Sequence, residues 1–464
     1  MTAALVRGDG RRLTALATPI ALTQLAQVAI STTNIALMGS LGVDQVAAGG
    51  LALVLFNQIR TMCVGLITAS GNQVATVVSR AEKQNRSADH EVREVVRSSF
   101  VIATLAGLLG AAILIGLGWS LQWLGQDAGV LGHARPMMVA LAPGLLPCLW
   151  FQVVRQYTVG MRRPQALLVV TLGSVAVNVV VALALIHGWA GLPALGLTGI
   201  GVASSVVFLV TFLVFWTMVR RDAVLGPTLP VRMWPVRART VVAELRLGTP
   251  IALTYGSEAG MFSVLALAMG TLGPAALAAH NVVYQLVYIV FQVAVGLSHG
   301  ASILVSRAVA REEYRRARNL AWLALRQAAV VAALVGLLYV TAPDLALRPF
   351  LTGHDGATAD LAHRLLLIAI VLQFFDAAQN IGNGLLRGVE DTRAGFRLSL
   401  VGYWIVGLPT ALLLAFPLGL GAAGVWWGLT AGLAATAVLM LRRYFVVLRP
   451  RDHAEPRQLA DSLN

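Results

Sequence analysis

Apolar runs of about 20 residues, each long enough to cross a bilayer, recur along the whole 464-residue chain. In lipid, every backbone polar group must be satisfied within its own segment, so such runs fold as helices. Hydrophobic residues make up 57% of the chain and charged residues 12%, where a soluble domain carries about 25% charged. That leaves too little polar surface to cover a dozen helices apolar on all sides. The class is an all-α polytopic membrane protein with the lipid bilayer as its surroundings. Breaks at charged or Gly/Pro-rich turns predict twelve transmembrane helices, near 13–39, 49–76, 98–124, 136–160, 166–188, 197–219, 247–272, 279–305, 320–343, 361–386, 398–416 and 424–441.

The net charge of +14 on a soluble protein would point to nucleic acid. Its distribution here points elsewhere, and no nucleic-acid partner is expected. The N-terminus, 79–97, 161–165, 220–246, 306–319, 387–397 and 442–464 together hold 29 of the 35 Arg and Lys residues. The opposite loops hold only Arg135 and Arg348. This bias predicts that the first set, with both termini, is cytoplasmic. The first span reads as a retained helix, since no small-residue cleavage signal follows a short apolar core. Cys63 and Cys148 fall inside apolar spans and read as small buried hydrophobes.

The sequence starts again at its middle. "ATPIALTQ" (17–24) returns as "GTPIALTY" (248–255), and "MGSLG" (38–42) as "MGTLG" (269–273), at a constant offset of 231. Over the 33 positions from 17 to 49, 12 are identical without a gap. The expected organisation is an N-terminal six-helix lobe (1–219), a cytoplasmic linker (220–246), a C-terminal six-helix lobe (247–442) and a cytoplasmic tail (443–464). Six is even, so the two repeats run parallel, an architecture that transporters use with sites near the midplane. The register sets Glu258 against Gln27: one repeat has a titratable group where the other has an amide.

Glu258, in "TYGSEAGMF", and Asp376 are the acidic residues expected within spans. Counted from Arg246 and Arg387, both lie about 16–18 Å above the cytoplasmic boundary at 1.5 Å per residue, so they can share a site. A charge at that depth costs at least about 2.5–3.5 kcal/mol and usually serves ion or substrate handling. A carboxylate there either carries a proton or, with oxygen neighbours, holds a small hard cation such as Na+; hydrogen-bonded packing is the plainer alternative. Gln24, Gln27, Ser31 and Asn34 recur at steps of three and four on one face of helix one, as substrate contacts or as helix–helix glue. Asn178 in helix five is a similar case. Arg60, inside helix two, lines a cleft, pairs with a carboxylate or snorkels. Tyr284 and Tyr288, one turn apart, can offer ring faces to a cation or simply pack, and packing is the expected role of His280 and His299. Pro409, in mid-span, is the hinge candidate. No P-loop, metal-ligand cluster or nucleophile elbow occurs, so the chain is not expected to be an enzyme. No cofactor is expected beyond a transported Na+ or H+.

The segments "TPIALTYGSEAGMF…MGTLGPAALAAH", "QFFDAAQNIGNGLLRGVEDT" and "YWIVGLPTALLL…GLGAAGVWWG" resemble the multidrug and toxin extrusion (MATE) family, over about residues 13 to 442. The closest likeness is to its bacterial sodium- or proton-coupled multidrug antiporter branch. The resemblance implies a V-shaped pair of six-helix lobes in the bacterial cytoplasmic (inner) membrane. It also implies export of small organic compounds, often cationic and drug-like, in exchange for sodium ions or protons. No obligate protein partner is implied. Glu258 and Asp376 match the helix-seven glutamate and helix-ten aspartate of the family's C-lobe cation site, which would bind Na+ in the sodium-coupled branch. Where many bacterial members place an aspartate in helix one, this chain has Asn34 in "TNIALMG", and Asn178 matches a family asparagine near it. Coupling is therefore expected in the C-terminal lobe. The alternative is a flippase for a lipid-linked precursor, for which few cleft basic residues are on offer beyond Arg60 and Arg155. The repeat with asymmetric carboxylates argues against a simple pore.

Overall fold

The computed structural model describes residues 3–39, 41–124, 128–191, 193–230, 232, 235–351 and 356–452. The helices are α1 (Ala3–Gly39), α2 (Val43–Lys83), α3 (Asp89–Ser120), α4 (Ala128–Leu141), α5 (Leu145–Gly160), α6 (Gln165–His187), α7 (Gly196–Arg221), α8 (Ala238–Thr271), α9 (Pro274–Ala310), α10 (Tyr314–Thr341), α11 (Pro343–Leu351), α12 (Gly356–Gly388), α13 (Thr392–Leu400), α14 (Leu408–Ala415) and α15 (Gly421–Asp452). Among the described residues, twelve helical segments are long and apolar enough to cross a membrane. They correspond one to one with the predicted spans, six in each repeat. Two are composite. α4 and α5 join through a 3₁₀ turn at Ala142–Gly144, where Pro143 lacks the amide hydrogen an α-helix needs. α13 and α14 join through a π-helical stretch, Val401–Gly407, just ahead of Pro409. The irregularity expected at that proline is this wider turn, which absorbs the missing backbone bond.

Helix faces divide as a lipid solvent requires. Leu105, Leu108, Leu109 and Ile113 on α3, and Val330, Leu334 and Leu337 on α10, are exposed. In lipid an outward leucine costs nothing, so close packing of small residues has to hold helices together.

Two glycines show this. The chain divides into one compact unit of Met1–Ala21 with Leu253–Asn464 and a second of Leu22–Ala252. The cuts fall in α1 after Ala21 and in α8 after Ala252. In the first unit, a Cβ on Gly296 of α9 would lie 2.7 Å from the Ala21 Cα. In the second, a Cβ on Gly65 of α2 would lie 2.7 Å from the Ala252 amide nitrogen. Gly65 and Gly296, like Ala21 and Ala252, are 231 residues apart, so one backbone contact is made twice. Each repeat's first helix lends its N-terminal half to the unit built around the other repeat. Arg316 adds a two-pronged pair on Asp9, Nη2 to Oδ1 at 2.7 Å and Nε to Oδ2 at 3.0 Å, which fastens the start of α1 to α10.

The expected linker is not a free strap. α8 begins at Ala238, nine residues before the predicted start, and residues 222–230 pack into the Leu22–Ala252 unit. Leu225 and Leu229 join the core of Phe151, Tyr157 and Phe215. The Tyr157 hydroxyl donates to the Leu225 carbonyl at 2.7 Å. The Asp222 carboxylate accepts from the Val224 and Leu225 amides at 2.8 and 2.9 Å. Those amides, Leu225 first, hold Asp222 below the usual carboxylate range, with Arg163 adding to the effect. The expected tail is helical as far as Asp452; residues 453–464 lie outside the described residues.

Candidate functional site

In the unit holding residues 253–464, Glu258 and Asp376 lie within electrostatic reach of each other. Asp376, on α12, is 5% exposed. Glu258, on α8, is partly buried and feels the charge of Asp376 directly. Asn380, one turn along α12, donates Nδ2 to the Asp376 Oδ1 at 3.2 Å and to its backbone carbonyl at 3.0 Å. The carbonyl of Asn380 accepts the Ser298 hydroxyl at 2.6 Å, which ties α12 to α9. Among the described residues no cluster of three or more His, Cys, Asp and Glu side chains occurs.

An aromatic wall stands beside the carboxylates. Tyr284 packs at a tilt on Phe262 (5.2 Å between centroids) and stacks on His280 (5.8 Å) and Tyr288 (6.2 Å), and Tyr288 stacks on Phe291 (5.9 Å). Tyr284 lies within electrostatic reach of both Glu258 and Asp376. The spacing that made packing the plain reading of these tyrosines thus also places one of them at the carboxylates. His280, 3% exposed, packs edge-on to Trp426 at 5.7 Å.

The remaining predicted residues gather in the other unit. Gln27, Asn34, Arg60 and Asn178 line one cavity with Ser31, Asn57, Thr171, Ser174 and Ser204. About 810 Å³ of its space is free of protein atoms, part of it open to solvent. Asn178 Nδ2 donates to Asn34 Oδ1 at 2.9 Å, and Asn34 Nδ2 to Ser204 Oγ at 3.4 Å. Asn34 therefore sits in an amide chain, and no carboxylate occurs among the described lining residues.

Three features escape a reading of the sequence. Tyr403, 1% exposed, lies close enough to feel both Glu258 and Asp376. Its hydroxyl has no partner among the described residues. It comes from the π-helical turn, and nothing in a lone tyrosine within an apolar run announces such a turn. The next residue, Trp404, donates Nε1 to Ser257 Oγ at 2.8 Å, one position before Glu258. The third is a buried carboxylate where two were expected. Glu244, assigned to a loop from the sequence, is 2% exposed on the early turns of α8 and accepts the Ser99 hydroxyl at 3.1 and 3.2 Å. The early start of α8 is what buries it.

Twelve spans in duplicated halves of six, with a carboxylate pair in one and a polar cavity in the other, define a repeat-built integral membrane protein of transporter architecture. The family model MatE matches residues 19–184 and again 250–413, starts that are 231 residues apart, and the chain belongs to this family. It is 34% identical over 451 residues to the multidrug resistance protein NorM of Burkholderia vietnamiensis, covering 92% of each chain. It is 34% identical over 427 residues to a probable multidrug resistance protein NorM of Pseudomonas aeruginosa, covering 91% of this chain and 86% of that one. Two solved structures share the fold. A MOP superfamily transporter from Pyrococcus furiosus matches with a TM-score of 0.86 at 16% identity, over 97% of this chain and 99% of that one. The Vibrio cholerae MATE transporter VcmN in its bent form matches with a TM-score of 0.82 at 15% identity, over 96% and 98%.

Proposed function

We propose that the protein is a cation-coupled exporter of organic, drug-like compounds in the bacterial cytoplasmic membrane, working by alternating access with both termini inside. The observation that carries this reading is the Glu258–Asp376 pair: two carboxylates within electrostatic reach of each other, with Asn380 bonded to Asp376, Tyr284 in reach of both, and the Tyr403 hydroxyl without a partner among the described residues. The names of the 34% identical relatives support the drug-like class of cargo.

Inward-moving sodium ions or protons bind at Glu258 and Asp376 and favour one conformation, while the organic substrate binds better to the other. An ion gradient drives export only through that difference in affinity. The ion is cargo, and the protein's part is to supply anionic oxygens on a rigid frame. The Trp404–Ser257 bond fixes the helix that carries Glu258.

Purified protein in liposomes loaded with a fluorescent organic cation tests this, under a sodium gradient alone and then a pH gradient alone. Efflux driven by one gradient in wild type and lost in Glu258→Gln is the expected result. Response to neither gradient, or undiminished efflux in Glu258→Gln, overturns the reading.

A further inference from the structure

The face that α10 and α15 turn toward lipid carries charge where a hydrocarbon solvent favours none. Trp322 of α10, 60% exposed, stacks on Phe445 of α15 at 5.5 Å with 26° between the rings. The Tyr444 hydroxyl donates to the Ala317 carbonyl at 2.9 Å, so the start of α10 is fixed against the end of α15. Arg326 stands one turn beyond Trp322, and Arg442 and Arg449 flank Phe445 at three and four residues, each on the face of its aromatic neighbour. All three arginines are exposed. Val330 and Leu334 continue the row of Trp322 and Arg326, Val438 continues the row of Arg442, and these too are exposed. Arg326 therefore sits on a lipid-facing stripe, about 9 Å inside the span predicted to start at residue 320, at 1.5 Å per residue.

Neighbouring arginines show what is missing. Arg443 pairs with Asp391 at 2.8 Å, and Arg316 with Asp9 and Glu313 at 2.7 Å each. Arg326, Arg442 and Arg449 have neither a hydrogen bond nor an ion pair among the described residues. A side chain leaves its helix tilted toward that helix's N-terminus. As the ninth and twelfth of twelve spans, α10 and α15 run antiparallel. Arg326 thus leans toward the aromatic pair from one side, and Arg449 from the other, while Arg442 leans toward Arg326. Tryptophan settles where acyl chains give way to headgroups, so the three guanidiniums gather at that level. Snorkelling into water accounts for one exposed arginine; it does not account for three converging on one stacked pair. The anion such a face meets is a lipid phosphate, which the planar fork of arginine grips with two bonds.

We propose that this face is a binding site for an anionic phospholipid, its headgroup held by Arg326, Arg442 and Arg449 and its acyl chains lying along Val330, Leu334 and Val438. The leaflet is the one on the side of the chain termini, which is cytoplasmic in the orientation proposed above; the binding itself does not depend on that orientation. A zwitterionic headgroup offers the same phosphate but brings its own cation into the arginine cluster, so the site selects a headgroup of net negative charge.

Native mass spectrometry of purified, delipidated full-length protein tests it, with phosphatidylglycerol and phosphatidylcholine of the same acyl chains titrated separately. Wild type is expected to bind phosphatidylglycerol about tenfold or more tightly, each arginine near an anionic lipid contributing roughly a factor of five. The triple variant Arg326→Gln, Arg442→Gln, Arg449→Gln should bring phosphatidylglycerol down to the phosphatidylcholine level and leave phosphatidylcholine unchanged. A control that removes the same charge from three other exposed arginines, Arg221→Gln, Arg232→Gln and Arg239→Gln, should keep the preference. If the triple variant does not fold, Arg326→Gln alone decides, with an expected loss of roughly fivefold for phosphatidylglycerol only. Equal binding of the two lipids by wild type overturns the proposal. So does a preference that survives the triple variant, or one that the control loses equally. Binding is read without transport: a failed preference with intact gradient-driven efflux removes this site alone, and absent efflux with an intact preference removes the export reading alone.

Discussion

The two repeats share helices, register and even a glycine contact, yet they carry opposite chemistry. At one position of the duplicated first helix stands Glu258, at the other Gln27. Asp376, which accepts from Asn380, lies within electrostatic reach of the glutamate, while the chain Asn178–Asn34–Ser204 fills the matching half with neutral groups and leaves Arg60 as the charge among the described lining residues. Duplication preserved the backbone contacts, which any substitution at Gly65 or Gly296 would disturb, and released the cavity-facing side chains, which the packing does not fix. A frame made twice carries a carboxylate pair in one half and, in the other, amides and hydroxyls around one guanidinium.

The sharpest way to break this contrast is to neutralise one half at a time. Glu258→Gln is expected to abolish ion-driven efflux, the largest effect of the set. Asn34→Ala should leave the ion dependence in place; gradient-driven liposome efflux reads both. Next in size are the shared contacts. Gly65→Ala and Gly296→Ala each drive a methyl group into the backbone of the facing helix and should cost about 1–3 kcal/mol, more than the roughly 1 kcal/mol that alanine adds to a helix. Thermal unfolding in detergent measures this, and similar losses in the two variants would confirm that the contact is duplicated.

A smaller effect is expected from Trp404→Phe, which removes one hydrogen bond to Ser257 worth about 1 kcal/mol. Because that bond steadies the turn carrying Glu258, ion affinity should fall a few-fold. The smallest is Asp222→Ala, outside the spans, at under about 1 kcal/mol for an exposed cap. Backbone amides hold the Asp222 carboxylate below its ordinary range. Its contribution is therefore complete above the unfolded-state value and disappears as pH falls through the lower folded one. The difference in melting temperature between wild type and Asp222→Ala should vanish in acid.

The fold was legible because lipid imposes long apolar runs, and the repeat because "TPIALT" and "MG.LG" recur at one offset. Glu258 and Asp376 were legible as ionisable groups with no apolar reason to be where they are. Tyr403 was not, since a tyrosine in an apolar run is common and its position depends on a π-helical turn. Glu244 was misplaced because α8 outruns its hydrophobic stretch, and charge alone marked that end as a loop. The division at Ala21 and Ala252 could not be read at all, because it depends on which glycine each alanine touches.

The central claim is that ion binding belongs to the carboxylate half alone. Calorimetric titration of purified wild type, Glu258→Gln and Asn34→Ala, with sodium at fixed pH and with protons at fixed sodium, tests it directly. The account predicts an ion-binding signal that is present in wild type, lost in Glu258→Gln and intact in Asn34→Ala. An ion that still binds Glu258→Gln, or one lost with Asn34→Ala, would contradict it.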